Sequence, residues 1–157
     1  MNQGLIAKVS TIINAPVAIV WGALTKPKII KKYMFGTNVV TNWKVGSSIV
    51  WKGEWQGKPY EDKGKILQLE NERIIQYSHF SHLSGKSDID ENYHIVTIEL
   101  ERIGNQTRVT LSQDNNPTET DREHSEKNWQ MMLDSLKKLL EQYLSENPSC
   151  RIEDIEK

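Results

Sequence analysis

Histidine is the side chain best suited to proton transfer or metal binding near neutral pH, and three of the chain's four histidines lie close together in sequence. His79 and His82 have the H-x-x-H spacing that could supply two metal ligands. Since spacing identifies no third ligand, we interpret both as surface histidines and predict no metal site and no cofactor. His94 precedes an apolar alternation and could act as a general acid or base inside a pocket, although a core or rim histidine is the commoner case.

An acidic run and a single cysteine are the remaining candidates for chemistry. Asp88, Asp90 and Glu91 do not have the spacing of a calcium loop, so we interpret them as part of a solvated loop. Cys150 lies in a polar segment without a histidine motif, and we propose no nucleophile there. The sequence contains no phosphate-binding glycine loop and no serine nucleophile elbow. We therefore assign no catalytic residue.

Aromatic side chains are more informative, because Trp and Tyr combine a large apolar body with a polar tip. Five of them are plausible wall residues of a pocket: Trp51, Trp55, Tyr60, Tyr77 and Trp129. For any one of these residues, ordinary core packing is the simpler interpretation.

A long helix, predicted from Thr120 to about Leu144, must position part of this set. Thr120 and Glu123 are predicted to form its capping box. One side of the helical wheel is apolar and comprises Trp129, Met132, Leu133, Leu136, Leu139, Leu140, Tyr143 and Leu144. In the first turns Arg122 and Ser125 make this side polar. Either that end projects beyond its support, or it borders a cavity that solvent reaches.

Upstream of this helix, the sequence predicts a strand, two short helices and about six antiparallel strands. Pro16 and Pro27 suit the first positions of the two short helices. Within Ile74–Phe80 two alternations compete, so the inward face of that strand stays open. The predicted fold class is α+β, with a curved antiparallel sheet wrapped around the long C-terminal helix.

Composition indicates one domain, predicted as residues 1–144, followed by a polar tail, 145–157, that frays or packs loosely. A net charge of −1 with interspersed signs predicts neither nucleic-acid nor membrane binding. No segment is apolar enough to span a bilayer and no leader is recognisable, so we expect a cytoplasmic location. The single cysteine agrees with a reducing compartment.

Several short motifs occur in an order and spacing found in a known family. They are Asn14-Ala15-Pro16, Val20-Trp21, Leu24-Thr25-Lys26-Pro27, Gly46-Ser47-Ser48-Ile49, Gly64-Lys65-Ile66, Arg73-Ile74-Ile75, and Trp129 with Leu133, Leu136 and Leu140. Over roughly residues 5–144, the chain thus resembles the START-like, helix-grip (SRPBCC) superfamily, and within it the homologues of the activator of the heat-shock-chaperone ATPase. The resemblance implies a deep apolar cavity between sheet and final helix. Members bind lipids, sterols, polyketides or plant hormones, or act on a chaperone, so the fold does not decide the function.

Given this resemblance, we predict that some of the aromatic residues line a ligand-binding cavity. The predicted cavity residues are Trp51, Trp55, Tyr60, Tyr77, His94, Trp129, Met132 and Leu133. Trp43 precedes Gly46 in a predicted turn and is expected to lie outside the cavity. We favour a module that binds an apolar or aromatic, lipid-like small molecule and is not an enzyme.

Two other functions stay open. A polyketide cyclase- or dehydratase-like enzyme would use His94 or Tyr77 to transfer protons. A protein-interaction module would have a chaperone as its partner. The eukaryotic co-chaperone of this family carries a separate N-terminal chaperone-binding domain, whereas this sequence leads directly into its first strand, so we do not expect it to activate a chaperone ATPase. Ligand identity and oligomeric state do not follow from the sequence.

Overall fold

In the computed structural model, which describes residues 4–156, the chain begins with strand β1 (Leu5–Ile13) and two short helices. Helix α1 spans Val17–Thr25 and helix α2 spans Pro27–Tyr33, with Lys26 extended between them. Proline suits the start of α2, because its fixed φ is helical and a first-turn N–H has no intrahelical acceptor. The two predicted short helices are confirmed.

Six further strands follow within the described residues. They are β2 (Asn38–Thr41), β3 (Ser48–Trp55), β4 (Lys58–Glu70), β5 (Ile74–Ser81), β6 (His94–Ile103) and β7 (Gln106–Asn116). Together with β1 they form one antiparallel sheet in the order β1-β7-β6-β5-β4-β3-β2. The loop between β5 and β6 contains two single 3-10 turns, His82–Ser84 and Asp90–Asn92. The predicted α+β arrangement of strand, two helices, antiparallel sheet and long helix is confirmed.

The long helix α3 (Glu119–Glu146) packs on one face of the sheet, here called the inner face. Its N-cap is Thr118, whose Oγ1 accepts a hydrogen bond from the Asp121 N–H at 3.1 Å. The predicted cap, Thr120, lies inside the first turn, so the capping-box prediction was wrong. Both threonines have an acidic residue three positions later, which is why the sequence pattern could not distinguish them.

The core lies between α3 and the inner face. Leu133, Leu136 and Leu140 of α3 are fully buried there. Ile75 and Tyr77 belong to the same core, whereas Ile74 and Phe80 are buried outside it. The inward face of β5, which the sequence left open, is therefore the face of Ile75 and Tyr77.

The segment after α3 docks on the domain, which corrects the prediction of a loosely packed tail. It forms helix α4 (Ile152–Glu156), whose Ile155 is fully buried. The Lys32 ammonium donates a hydrogen bond to the Ile155 carbonyl oxygen at 2.5 Å. A β-carbon at Gly22 would lie 2.5 Å from Ile152 Cγ1, so glycine permits the close approach of α1 and α4. The two isoleucines, together with the Lys32 hydrogen bond, hold this otherwise polar segment against the domain.

The predicted domain and tail bounds include residues 1–3 and 157, which lie outside the described residues. Within residues 4–156, no helix has both the length and the apolar character needed to cross a membrane.

Candidate functional site

A small apolar cavity lies between α3, the short helices and the inner face of the sheet. Its volume is about 40 Å³. The lining residues are Leu24, Ile30, Tyr33, Met34, Val39, Trp43, Ile49, Trp51, Ile66, Ile75, Tyr77, Ile98, Trp129 and Met132. Because ligand pockets usually measure about 300–1,000 Å³, a ligand larger than a few atoms requires some of these side chains to move.

The structure brings four of the eight predicted cavity residues to this cavity: Trp51, Tyr77, Trp129 and Met132. The rings of Trp51 and Tyr77 form its floor on the sheet, with centroids 4.9 Å apart and planes tilted by 50°. Burial raises the pKa of the Tyr77 hydroxyl far above its ordinary value, so this group is protonated at neutral pH. Contact of these four residues with a ligand stays a prediction.

The other four predicted cavity residues do not line it. Leu133 is fully buried in the core. Trp55 lies on the same face of β3 as Trp51, but it is the last residue of the strand and is 64% exposed. Periodicity predicts which face of a strand a side chain occupies, but not whether another element covers that face. Tyr60 lies across Gly53, and its hydroxyl is 2.6 Å from Thr37 Oγ1. The fourth residue, His94, belongs to a separate polar cluster.

Trp43 was predicted to lie outside the cavity, and the structure corrects this. The residue has a positive φ of 56°, in the left-handed region that non-glycine residues rarely adopt. With this backbone conformation, its half-buried side chain packs against the core and lines the cavity. Turn signals in the sequence predicted the turn but not the direction of its side chain.

Trp129 is positioned by a polar network at the start of α3. Its Nε1–H donates a hydrogen bond to Gln113 Oε1 at 2.5 Å. Ser125 Oγ donates to Asn116 Oδ1 at 2.8 Å, and Asn116 is almost fully buried. The polar first turns of α3 are therefore supported by β7 and do not project beyond the sheet. A polar inward side here provides hydrogen-bond partners instead of apolar contacts.

A polar cluster adjoins the cavity at Trp51. The Trp51 ring lies edge-on to the His79 ring, with centroids 5.0 Å apart. His79 Nε2 is 2.9 Å from Asp62 Oδ2. The other carboxylate oxygen, Asp62 Oδ1, is buried, and no residue among 4–156 donates a hydrogen bond to it. Sequence reasoning missed Asp62, because a single aspartate between Glu61 and Lys63 gives no signal of an inward side chain.

His94 lies directly opposite His79 in the β5–β6 register, and the ring centroids are 6.4 Å apart. Its Nδ1 is 2.9 Å from the backbone oxygen of Asp114, which can only accept a hydrogen bond. Nδ1 therefore carries a proton, and in the neutral ring Nε2 is an acceptor. Burial lowers the pKa of His94 below its ordinary value, which keeps the ring neutral at pH 7.

The remaining chemical candidates do not converge on this cluster. His82 packs against Phe80, with ring centroids 5.2 Å apart, so it does not join His79. Asp88 pairs with Lys63 and accepts a hydrogen bond from the Tyr93 hydroxyl at 2.6 Å. Across residues 4–156, no group of three His, Cys, Asp or Glu side chains could hold a metal ion.

A much larger groove, of about 1,050 Å³, lies on the outer face of the sheet. It runs past Gly64 and Ser78, where a β-carbon on Gly64 would lie 1.7 Å from the Ser78 backbone oxygen. Its walls mix apolar side chains with both signs of charge, including Lys65 and Asp114, and it is open to solvent. The cavity on the inner face is smaller, and its walls are mainly apolar and aromatic.

This chain was compared with protein families and with proteins of known structure. Residues 14–141 match the model of the family described as Activator of Hsp90 ATPase homolog 1-like protein. A protein from Cytophaga hutchinsonii, known from a solution structure, is 59% identical, with a TM-score of 0.81 over 92% of this chain and 99% of its own. Among curated proteins, none matches this sequence.

Two more distant structures are similar in fold. CalU16 from Micromonospora echinospora is 24% identical, with a TM-score of 0.64 over 82% of this chain and 71% of its own. The Aha1 dimer from Colwellia psychrerythraea is 22% identical, with a TM-score of 0.67 over 87% of this chain and 96% of its own. Since the family match covers most of the helix-grip architecture described above, this chain belongs to the Activator of Hsp90 ATPase homolog 1-like family of the START-like (SRPBCC) superfamily.

Proposed function

We propose that this protein binds an apolar or aromatic small molecule between α3 and the inner face of the sheet. The observation that carries the proposal is a cavity between α3 and the sheet, walled by aliphatic side chains and by five aromatic ones, Tyr33, Trp43, Trp51, Tyr77 and Trp129. Apolar walls with a few polar groups nearby are the usual composition of small-molecule sites. We propose further that the protein acts in the cytoplasm, in keeping with its single cysteine.

Binding requires the cavity to widen, and its walls include the side chains that can move. Met34 and Met132 are unbranched and adapt their shape at low cost. Trp43 and Trp129 are only half-buried, and the Trp129 indole is held by its hydrogen bond to Gln113. Displacing these side chains would enlarge the cavity while the buried leucines of α3 stay packed.

The test is a panel of apolar and aromatic ligands, scored by melting temperature and tryptophan emission. A ligand that binds only the folded state stabilises it by about 2.7 kcal/mol at a hundred times its dissociation constant. Emission should respond through Trp51 and Trp43, which line the cavity, and a Trp51→Phe variant should show a weaker optical response with the fold preserved. If no ligand shifts the melting temperature or the emission, the proposal is wrong.

A matched pair of variants locates the site. Met132 lines the cavity, whereas its neighbour Met131 is 52% exposed. Met132→Phe should fill the space and abolish the ligand-induced shift, measured against the variant's own melting temperature. Met131→Phe should leave the shift unchanged. Equal shifts in the two variants would mean that the ligand binds elsewhere.

The small volume of the cavity favours a second candidate, a protein-interaction module related to chaperone regulation. A nearly filled interior is expected if the outer surface, not the cavity, is the functional part. The family description also names an activator of the Hsp90 ATPase. This candidate predicts saturable binding of the purified protein to an Hsp90-type chaperone by titration calorimetry, together with no response to the ligand panel.

A further inference from the structure

We propose that Asp62, with His79 and His94 beside it, forms the polar end of the ligand site and accepts a hydrogen bond from a neutral O–H or N–H group on an aromatic ligand. The inference rests on the proposed small-molecule function and specifies the chemical class of the ligand. Its first support is the unpaired oxygen of Asp62.

The two oxygens of the Asp62 carboxylate have different surroundings. Oδ2 is 2.9 Å from His79 Nε2, whereas Oδ1 is buried and receives no hydrogen bond from the described residues. An ionised carboxylate can only accept hydrogen bonds, so the missing partner must be a donor. Since a buried unpaired acceptor is costly, a ligand that supplies the donor gains affinity from satisfying it.

Asp62 lies beside the aromatic wall of the cavity. Asp62 lies opposite Trp51 in the β3–β4 register. The Trp51 ring in turn contacts both Tyr77, inside the cavity, and His79, the hydrogen-bond partner of Asp62. An aromatic ring stacked on Trp51 would therefore have its substituents directed either into the apolar cavity or toward the carboxylate.

The polar cluster is less completely buried than the aromatic ring beside it in the cavity. Along β5, Tyr77 is 7% exposed, while the side chain of His79 is 24% exposed and that of its partner Asp62 is 19% exposed. The His79 and Asp62 side chains are thus partly exposed, whereas Tyr77 in the cavity is buried. A ligand entering here would place its apolar part inward and its polar group last, beside Asp62.

The neighbouring charges select the kind of polar group. Within residues 4–156, Asp62 contacts the His79 ring, and no lysine or arginine forms a salt bridge with its carboxylate. His94 presents a second acceptor, Nε2, because its Nδ1 donates to the Asp114 backbone oxygen. These two acceptors, one of them a carboxylate, disfavour an anionic head group, such as that of a fatty acid, and favour a neutral donor such as a phenol.

Two ligands of almost equal shape test this proposal: 2-naphthol, which has a donor, and 2-methoxynaphthalene, which has none. Their dissociation constants are measured by titration calorimetry for the unaltered protein, for Asp62→Ala and for the control Glu61→Ala, whose side chain is exposed on the adjacent position of β4. For each protein, the dissociation constant of 2-methoxynaphthalene is divided by that of 2-naphthol. Comparing this ratio between proteins removes the effect of the ligands' different hydration, which is the same in every case.

We expect the preference for 2-naphthol over 2-methoxynaphthalene to be about tenfold or more greater in the unaltered protein than in Asp62→Ala. This is the size of effect expected for a hydrogen bond to a charged group. Glu61→Ala should keep the ratio of the unaltered protein. If Asp62→Ala does not fold, Asp62→Asn, which keeps the shape of the side chain but removes its charge, should reduce the preference instead.

The outcomes separate the two proposals. Binding of both ligands with a ratio that does not change in the Asp62 variants would refute the donor site and leave the small-molecule function standing. Tighter binding of 2-naphthoic acid than of 2-naphthol would also refute it. Binding of neither naphthalene, with no response to the wider ligand panel, would refute both.

Discussion

Helix α4 offers a sharp test of how the C-terminal segment is held. It has five residues, too few for a helix that is stable in water by itself, so it depends on docking. Ile155 is fully buried, and replacing it by alanine removes about 2–5 kcal/mol of favourable packing. A short helix can detach while the sheet and α3 stay folded. Once α4 has detached, Ile155→Ala can cost nothing more, so the loss in the free energy of unfolding cannot exceed the docking free energy of α4. We therefore expect Ile155→Ala to detach α4 without unfolding the domain.

Cys150 reports on this detachment, because it is the chain's single cysteine and packs partly against the core just before α4. Burial raises the pKa of its thiol above the ordinary value, which slows its reaction as thiolate. In native protein a thiol reagent should label Cys150 slowly, contrary to the free reactivity that a loose tail would imply. If Ile155→Ala costs about 2 kcal/mol of docking, labelling should accelerate about 30-fold.

Glu153→Ala is the matched control, since Glu153 is exposed on the same short helix. It should change neither the labelling rate nor the urea midpoint. Equal labelling of unaltered and Ile155→Ala protein, or labelling of the unaltered protein as fast as in denaturant, would show that Ile155 does not hold this segment.

Two further predictions concern the cap of α3 and the polar cluster. Thr118→Ala should lower the free energy of unfolding by about 0.5–2 kcal/mol in urea titrations, whereas Thr120→Ala should cost little; the reverse order would restore Thr120 as the cap. Burial depresses the pKa of His94 in the folded state, so its contribution to stability is complete above the pKa of an unfolded histidine and is lost as pH falls through the folded value. The unaltered protein should therefore lose more stability than His94→Gln between about pH 7.5 and 5.5, and parallel losses would show that His94 is not buried as a neutral ring.

The elements of the fold were predictable because their signals are local. Pro27 starts α2, and the buried stripe of Leu133, Leu136 and Leu140 follows the helical period. The same period placed Met132 inward beside the cavity. In β3, alternation correctly predicted that Trp51 lies on the inner face. It could not show that Trp55, four residues further along the same face, is exposed to solvent.

The site depended on contacts between residues far apart in sequence. Asp62 joins the cavity region through its register opposite Trp51 and its bond to His79, and no neighbouring residue signals either contact. Trp43 turns inward through a left-handed backbone conformation, which local composition does not specify. The sequence by itself determined the elements from β1 to α3, their order and the family, since periodicity and short motifs are carried by adjacent residues, but it missed α4. The tertiary structure decided which aromatic rings meet, how little space they leave and which carboxylate oxygen stays unpaired, because strand register and helix docking are set by packing over the whole domain.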